Sequence, residues 1–259
     1  MSNITGITKY SNTIPLSEIN DVEYNSFFAC PRSIGLKSNN LSSMDVATVI
    51  TCLSYSYGII DSSVKTNLIS IDLINEIVNK SKTKKNKEKL IDSLERLEEE
   101  GIITVSWVTD SLFSVESDVS NGFFKFYYHD MYKMIGLATP TIIQKAIHIS
   151  AIEFSYIYGS RSSHNQNEKF VTYRSHHSLA EMCGMSRPSI SKTLDMLEEM
   201  KIISSYAVRM KGNGTPQKSV RSRYRDRDML RRYVEEGLES KYSKIVNNKE
   251  IRDNDKRGI

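Results

Sequence analysis

The chain has 259 residues, enough for two cores of ordinary size, with 39% apolar and 25% charged residues. That composition describes a soluble globular protein and excludes extensive disorder away from the ends. Cys30, Cys52 and Cys183 are far apart and form no C-x-x-C or Cys/His ligand pattern, which argues against a disulfide framework and a zinc site and fits a cytoplasmic protein with no cofactor. No secretory leader is legible at the N-terminus.

Residues 1–20 are polar and read as a flexible N-terminus. Residues 21–121 read as a first unit, with helices over Met44–Tyr57, Ile71–Asn79 and Lys84–Glu100 and strands over Ile102–Val108 and Leu112–Glu116. A strand over Phe123–Tyr128 joins it to a second unit, residues 122–226. Thr141–Tyr158 is the most apolar stretch, but Lys145, His148 and Glu153 interrupt it, so it predicts a buried scaffold helix and not a membrane span.

Ser178–Cys183 then forms a short helix, Gly184 ends it, Ser186 caps the next helix, and Pro188 sits in its first turn. In that helix Ile190, Leu194 and Leu197 recur at i, i+4, i+7 and face the core. Ile202–Arg209 is a strand, Lys211–Gln217 a long turn, and Lys218–Arg225 the returning strand. Leu230, Val234, Leu238 and Ile245 predict an amphipathic helix over residues 227–247, and residues 248–259 read as a flexible tail.

Two features stand above this local pattern. Lys89–Thr104 and Ser189–Ser204 align at an offset of 100 residues with six of sixteen positions identical, among them Leu94/Leu194, Leu97/Leu197, Glu98/Glu198 and Ile102/Ile202. Similarity at a fixed spacing indicates two copies of one structural unit. Positive charge is also concentrated: residues 80–89 sum to +5 and residues 201–232 to +8, whereas residues 1–79 sum to −3 and residues 90–200 to −6. A single-sign cluster repels itself, and a polyanionic partner is a natural reason to keep one.

The helix, glycine turn, helix and hairpin between about Thr139 and Arg225 resemble the winged helix-turn-helix domains of bacterial regulators and of plasmid and phage replication initiators. The tandem organisation is similar to that of initiators with two winged helices. The resemblance implies an α+β, mainly α fold with two tandem winged-helix domains and a C-terminal amphipathic helix. It also implies that the first unit supports a homodimer while the second holds double-stranded DNA, with host replication proteins as further partners and no membrane.

The side of the second helix opposite Ile190 carries Ser189, Ser191 and Lys192, with Ser186 and Arg187 at its start, all suited to bases or phosphates. Arg221, Arg223 and Arg225 alternate along the last strand, so their guanidinium groups share a face, and Lys211 and Lys218 flank them. Three like charges side by side predict an anion between them, which makes this stripe a DNA grip. In the first unit Lys82, Lys84, Lys85, Lys87 and Lys89 form a secondary candidate contact, but the hairpin beyond them contains no Lys or Arg.

Catalysis is not expected. No phosphate-binding loop, nucleophile elbow or paired metal carboxylates appear, and His176 and His177 are adjacent instead of flanking an apolar residue as in DNA-nicking enzymes. Replication initiator is the leading reading, transcriptional regulator the alternative, and a DNA-nicking enzyme a remote third. On this division of labour a fragment of residues 122–259 is expected to fold by itself.

Overall fold

The computed structural model describes residues 25–37, 40–60, 62–157, 170–212 and 217–247. The expected flexible segments 1–20 and 248–259 lie outside them, as do residues 213–216 of the long turn. The fold is α+β with helix in the majority.

The chain opens with strand β1 (Phe27–Pro31), a one-turn helix α1 (Ser33–Leu36) and helix α2 (Ser43–Leu53). Strands β2 (Ser56–Ile60), β3 (Ser63–Thr66) and β4 (Ile69–Ser70) lead to helices α3 (Ile71–Asn79) and α4 (Lys84–Glu99), then to the hairpin β5 (Thr104–Thr109) and β6 (Leu112–Asp118). Strand β7 (Phe123–Tyr127) and helix α5 (Tyr128–Ile135) precede the long helix α6 (Pro140–Ile157). Helices α7 (His176–Cys183) and α8 (Arg187–Glu199), strands β8 (Ile203–Met210) and β9 (Gln217–Arg223), helix α9 (Arg227–Ser240) and strand β10 (Tyr242–Asn247) complete it.

The repeat is visible in the hydrogen bonds. In both copies a short extended segment is followed by two helices and a hairpin, with a helix earlier in the chain and, in the first copy, the β2–β3 hairpin between that helix and the segment. The short strand pairs with the second strand of the hairpin: β4 with β6 in the first copy, and Thr172 by a single antiparallel bridge to Arg221 in the second. The helix ends coincide at the 100-residue offset. Ile102 N–H donates to Leu97 O at 3.0 Å and Ile202 N–H to Leu197 O at 2.9 Å. The left-handed residue of each turn is Gly101 (φ 63°) in one copy and Lys201 (φ 56°) in the other. Glu98 accepts the Val105 N–H and Glu198 the Ser205 hydroxyl, seven residues on in both cases.

The copies do not have separate cores. Every residue of α6 from Ala146 to Ser155 is buried, and a helix without a solvent stripe must be covered all round. The cover is shared: α1, α2 and α3 from the first half, α5, β7, α8 and β9 from the second. One apolar cluster therefore runs from Phe28 in β1 to Ile203 in β8. β1 also pairs with β7 across the expected boundary at 121/122, Phe28 opposite Phe126. That boundary separates two copies of a topology but not two packed bodies.

Three further expectations are corrected. The helix predicted over Met44–Tyr57 stops at Leu53, and the chain turns into the β2–β3 hairpin, whose first two residues, Ser56 and Tyr57, the helical reading absorbs. Helix α5 is an element that the sequence pattern does not predict. The amphipathic helix predicted over residues 227–247 ends at Ser240, because the chain doubles back at Lys241 and lays the Tyr242 ring on Gly237, where a Cβ would lie 2.3 Å from the ring. Tyr242–Asn247 then pairs antiparallel with β8 as a third strand. A smaller cluster of Val171, Tyr206, Val208, Val220, Leu230, Tyr233, Val234 and Tyr242 lies between α9 and this sheet.

At the N-terminus of α2, Ser42 and Asp45 form a reciprocal capping box. Burial pushes the Asp45 carboxyl up, but hydrogen bonds from Arg96, Ser93 and Ser42 outweigh that and hold it below the usual carboxylate value. His148, fully buried on α6 with Ser43 Oγ at 3.1 Å from its Nδ1, is kept neutral: burial lowers its pKa from 6.5 to about 4.

Two outcomes are expected. A fragment of residues 122–259 leaves uncovered the side of α6 that α1, α2 and α3 occupy. In circular dichroism it should melt without a cooperative transition, and a sigmoidal melt at the full chain's helix content would restore two independent domains. The neutral His148 stabilises the fold fully above pH 6.5 and progressively less as pH falls towards 4, because the unfolded chain takes up the proton first. The difference across that window is about 3 kcal/mol, so His148→Gln should flatten the fall in stability between those values in denaturant titrations at stepped pH.

Candidate nucleic-acid interface

The turn between α7 and α8 is built as its residues dictate. Gly184 takes a left-handed conformation (φ 61°) and Met185 N–H returns to Ala180 O at 3.0 Å. Ser186 caps α8 by accepting the Ser189 N–H, and Pro188 occupies the first turn. Ile190, Leu194 and Leu197 are buried, which leaves Arg187, Pro188, Lys192 and Asp195 exposed on the opposite side and Ser191 half-buried beside them.

Ser189 departs from expectation. Its hydroxyl accepts from Lys145 Nζ of α6 at 3.0 Å, on the flank shared with the buried Thr193. It positions α8 on the scaffold helix and is turned away from the exposed side.

The arginine stripe is the larger correction. Arg221 and Arg223 do share a side of β9, but it faces inward: Arg221 is 1% and Arg223 0% exposed, while the strand expected to reach Arg225 ends at Arg223 and leaves Arg225 half-buried in the turn Tyr224–Asp226. The Arg221 guanidinium holds Glu153 of α6 with two bonds, Nε to Oε2 at 3.1 Å and Nη2 to Oε1 at 2.9 Å, and Nη2 also donates to Arg174 O. Arg223 lies over Phe154 at 4.9 Å and near Tyr127 at 5.3 Å, and Arg225 stacks on Tyr127 at 3.3 Å. The counter-charges are Glu153, Asp130 and Asp226 rather than phosphates. Burial pushes the Asp130 carboxyl up to about 6 against the pull of Arg225, Lys133 and Arg223, and it pushes Asp226 up as well. Arg221 and Arg223 fasten β9 to α6 and β7 and are not available to DNA.

The exposed cations of the hairpin lie further out. β8 and β9 pair Val208 with Lys218 and Arg209 with Gln217, and β10 sets Lys244 opposite Arg209. Arg209, Lys211, Lys218 and Lys244 are all exposed, with Lys211 Nζ also donating to Glu239 O at 2.7 Å. Cross-strand partners share a face, so Arg209 and Lys244 form a cationic pair on the face that carries Ser205, the contact to α8. Sequence reasoning singles out neither. Arg209 is hidden among ten cations of the basic block, and Lys244 sits in a segment predicted to be helical.

The secondary lysines are partly engaged. Lys82 pairs with Glu76 at 3.3 Å, Lys87 with Asp72 at 3.5 Å and Lys84 with Glu88 at 3.9 Å, while Lys85 and Lys89 are exposed. Exposed pairs of this kind bind weakly and are readily exchanged for phosphate. Among the described residues no cluster of His, Cys, Asp and Glu is arranged to hold a metal ion, and no helix is long and apolar enough to cross a membrane. His177 faces Glu181 at 3.2 Å, and the three cysteines are buried and unlinked.

Removing one partner of a buried ion pair leaves the other charge uncompensated, a loss of about 3–5 kcal/mol. Arg221→Ala should therefore lower stability by that amount, and Glu153→Leu combined with Arg221→Met should recover most of it, measured by chemical denaturation. A surface-like loss below about 0.5 kcal/mol for Arg221→Ala would return the arginine to the exterior.

The chain matches no known protein-family model, and no curated protein or solved structure matches it.

Proposed function

We propose that the chain is a sequence-specific double-stranded DNA-binding protein built from two tandem winged-helix units, the second of which reads DNA through α8. The observation that carries this reading is the exposed start of α8. A capped helix N-terminus presents Arg187 and Lys192 to solvent, with Ser191 half-buried beside them, behind a tight helix-turn-helix and beside a hairpin that exposes Arg209, Lys211, Lys218 and Lys244. A helix start of this kind suits base edges in a major groove, and the hairpin cations suit the flanking phosphates.

The two copies differ in a way that favours replication initiation over simple operator binding. The first hairpin has no Lys or Arg between Ile102 and Asp118 and carries Asp110, Glu116 and Asp118, so a phosphate ridge would repel it. One copy reads DNA and the other is left for protein contacts, a division suited to an initiator that recruits host replication proteins to an origin. A transcriptional regulator is the second reading, since the helix-turn-helix serves either role.

Selection from a random duplex pool should enrich a defined site. Arg187→Ala with Lys192→Ala should weaken binding to that site by about 1–3 kcal/mol for each base no longer recognised, with a smaller effect on random duplex. Arg209→Ala, Lys218→Ala and Lys244→Ala together should weaken binding to all sequences and reduce the salt slope by about 0.9 per phosphate no longer neutralised. No enriched sequence, or an unchanged slope, would reject the assignment.

A further inference from the structure

The β1–β7 ribbon turns Phe28, Cys30, Phe124 and Phe126 into the core, so Phe27, Lys125 and Tyr127 share its outer side. Phe27 is 42% exposed, with the Tyr127 ring 5.8 Å away and Lys125 Nζ 4.2 Å from its centre. One exposed ring is ordinary, but this one begins a series. Arg225 lies on Tyr127 at 3.3 Å. Next to it in the chain, the half-buried Tyr224 has Arg227 4.7 Å and Lys201 5.9 Å from its ring. Lys133 donates to Met200 O at 2.8 Å, at the C-terminal end of α8. Burial lowers its pKa against the pull of Asp130, and Lys201 and Arg225 add to the fall as like charges. Rings and cations therefore alternate along one strip. The carboxylates near it are Asp130, which is buried, Asp226, half-buried, and Asp228, 3.9 Å from Arg227.

Lys201 stands in this strip against the preference of its own backbone. It takes the left-handed conformation (φ 56°), which glycine adopts freely and a residue with a Cβ only at a cost. The first copy has Gly101 (φ 63°) at the equivalent position, the residue that such a turn favours. The second copy has a cation there instead, beside Tyr224 and Lys133.

We infer that this strip is a second nucleic-acid site, one that takes an unpaired strand of DNA or RNA, with bases stacked on Phe27 and Arg225 and phosphates along Lys125, Lys201 and Arg227. Sites for single strands combine these two components, rings for the bases and a line of cations for the backbone. A guanidinium plane, which Tyr127 holds here by stacking, receives a base as a ring does. A duplex keeps its bases stacked on one another and cannot offer them to Phe27. The strip lies at the C-terminal end of α8, about 20 Å along that helix from Arg187, and does not depend on what the helix start binds.

The test titrates the full chain onto labelled oligothymidylate and oligouridylate of about 20 nucleotides, longer than one site of this kind, with anisotropy as the readout. At least one should bind below about 10 μM, and the tighter of the two names the sugar. A strand with abasic positions keeps every phosphate and should bind about tenfold more weakly or worse. Phe27→Leu should weaken the intact strand about fivefold or more and leave the abasic strand unchanged. Lys201→Gly suits the turn, so the Tm should stay level or rise while single-strand affinity falls and the salt slope drops by about 0.7 for the phosphate lost. Arg187→Ala with Lys192→Ala should leave single-strand binding intact. Failure to bind either probe, equal affinity for intact and abasic strands, or a Lys201→Gly variant that binds like the parent would overturn the inference. So would strip variants that weaken a duplex as much as a single strand, or an α8 variant that abolishes both.

Discussion

Glu153 is a carboxylate in the most enclosed helix of the chain, and the surrounding structure is arranged around that fact. An ionised group taken out of water without a partner is prohibitively costly. Arg221 supplies two charge-assisted bonds in the planar fork geometry that suits a carboxylate. The pair is also a register device. Sliding β9 by one residue would move Arg221 to the opposite face of the sheet and present Val220 or Ser222, neither of them a cation, to Glu153. The hairpin can therefore dock on α6 in only one way, and with it the relation between the exposed cations of β8–β10 and the exposed start of α8 is settled. Arg223 and Arg225 extend the same fastening to Phe154 and Tyr127, so β9 is held to α6 and β7 by guanidinium groups on aromatic rings and a carboxylate.

The two copies show how one topology diverges through its edges. Both keep the helix end, the left-handed turn residue and the glutamate that reaches the following strand. They differ in what covers the hairpin. The second copy is backed by α9 and extended by β10, which places cations on its outer portion; the first has neither addition.

Much of this was legible in the residues. The offset of 100, the glycine turn, the serine cap and the buried stripe of α8 all follow from local chemistry, and local chemistry is what a sequence displays. The orientation of the arginine stripe did not follow. Alternation shows that Arg221 and Arg223 share a face but not which face, because that depends on a residue 68 positions away. The relevant signal was present in Glu153, the lone carboxylate of the apolar stretch Thr141–Tyr158, which required a buried cation from elsewhere in the chain. The strand β10 was hidden for a related reason: Tyr242 and Ile245 continue the helical spacing of Leu230 and Val234 by coincidence, and only the packing of a ring on Gly237 reveals the reversal. The shared core was invisible because an all-round apolar helix reads the same whether it serves one unit or two.

That shared helix has a consequence for synthesis. Chains emerge from the ribosome N-terminus first, at about 5–20 residues per second. The first half, complete in its own strands and helices by Asp118, must wait for residues up to Ile157 before α2 acquires the surface it rests against. During that interval the side of α2 that packs on α6 has no permanent cover. The nascent protein thus passes through a stage in which its earliest-made half is the one most exposed to chaperones and to premature association.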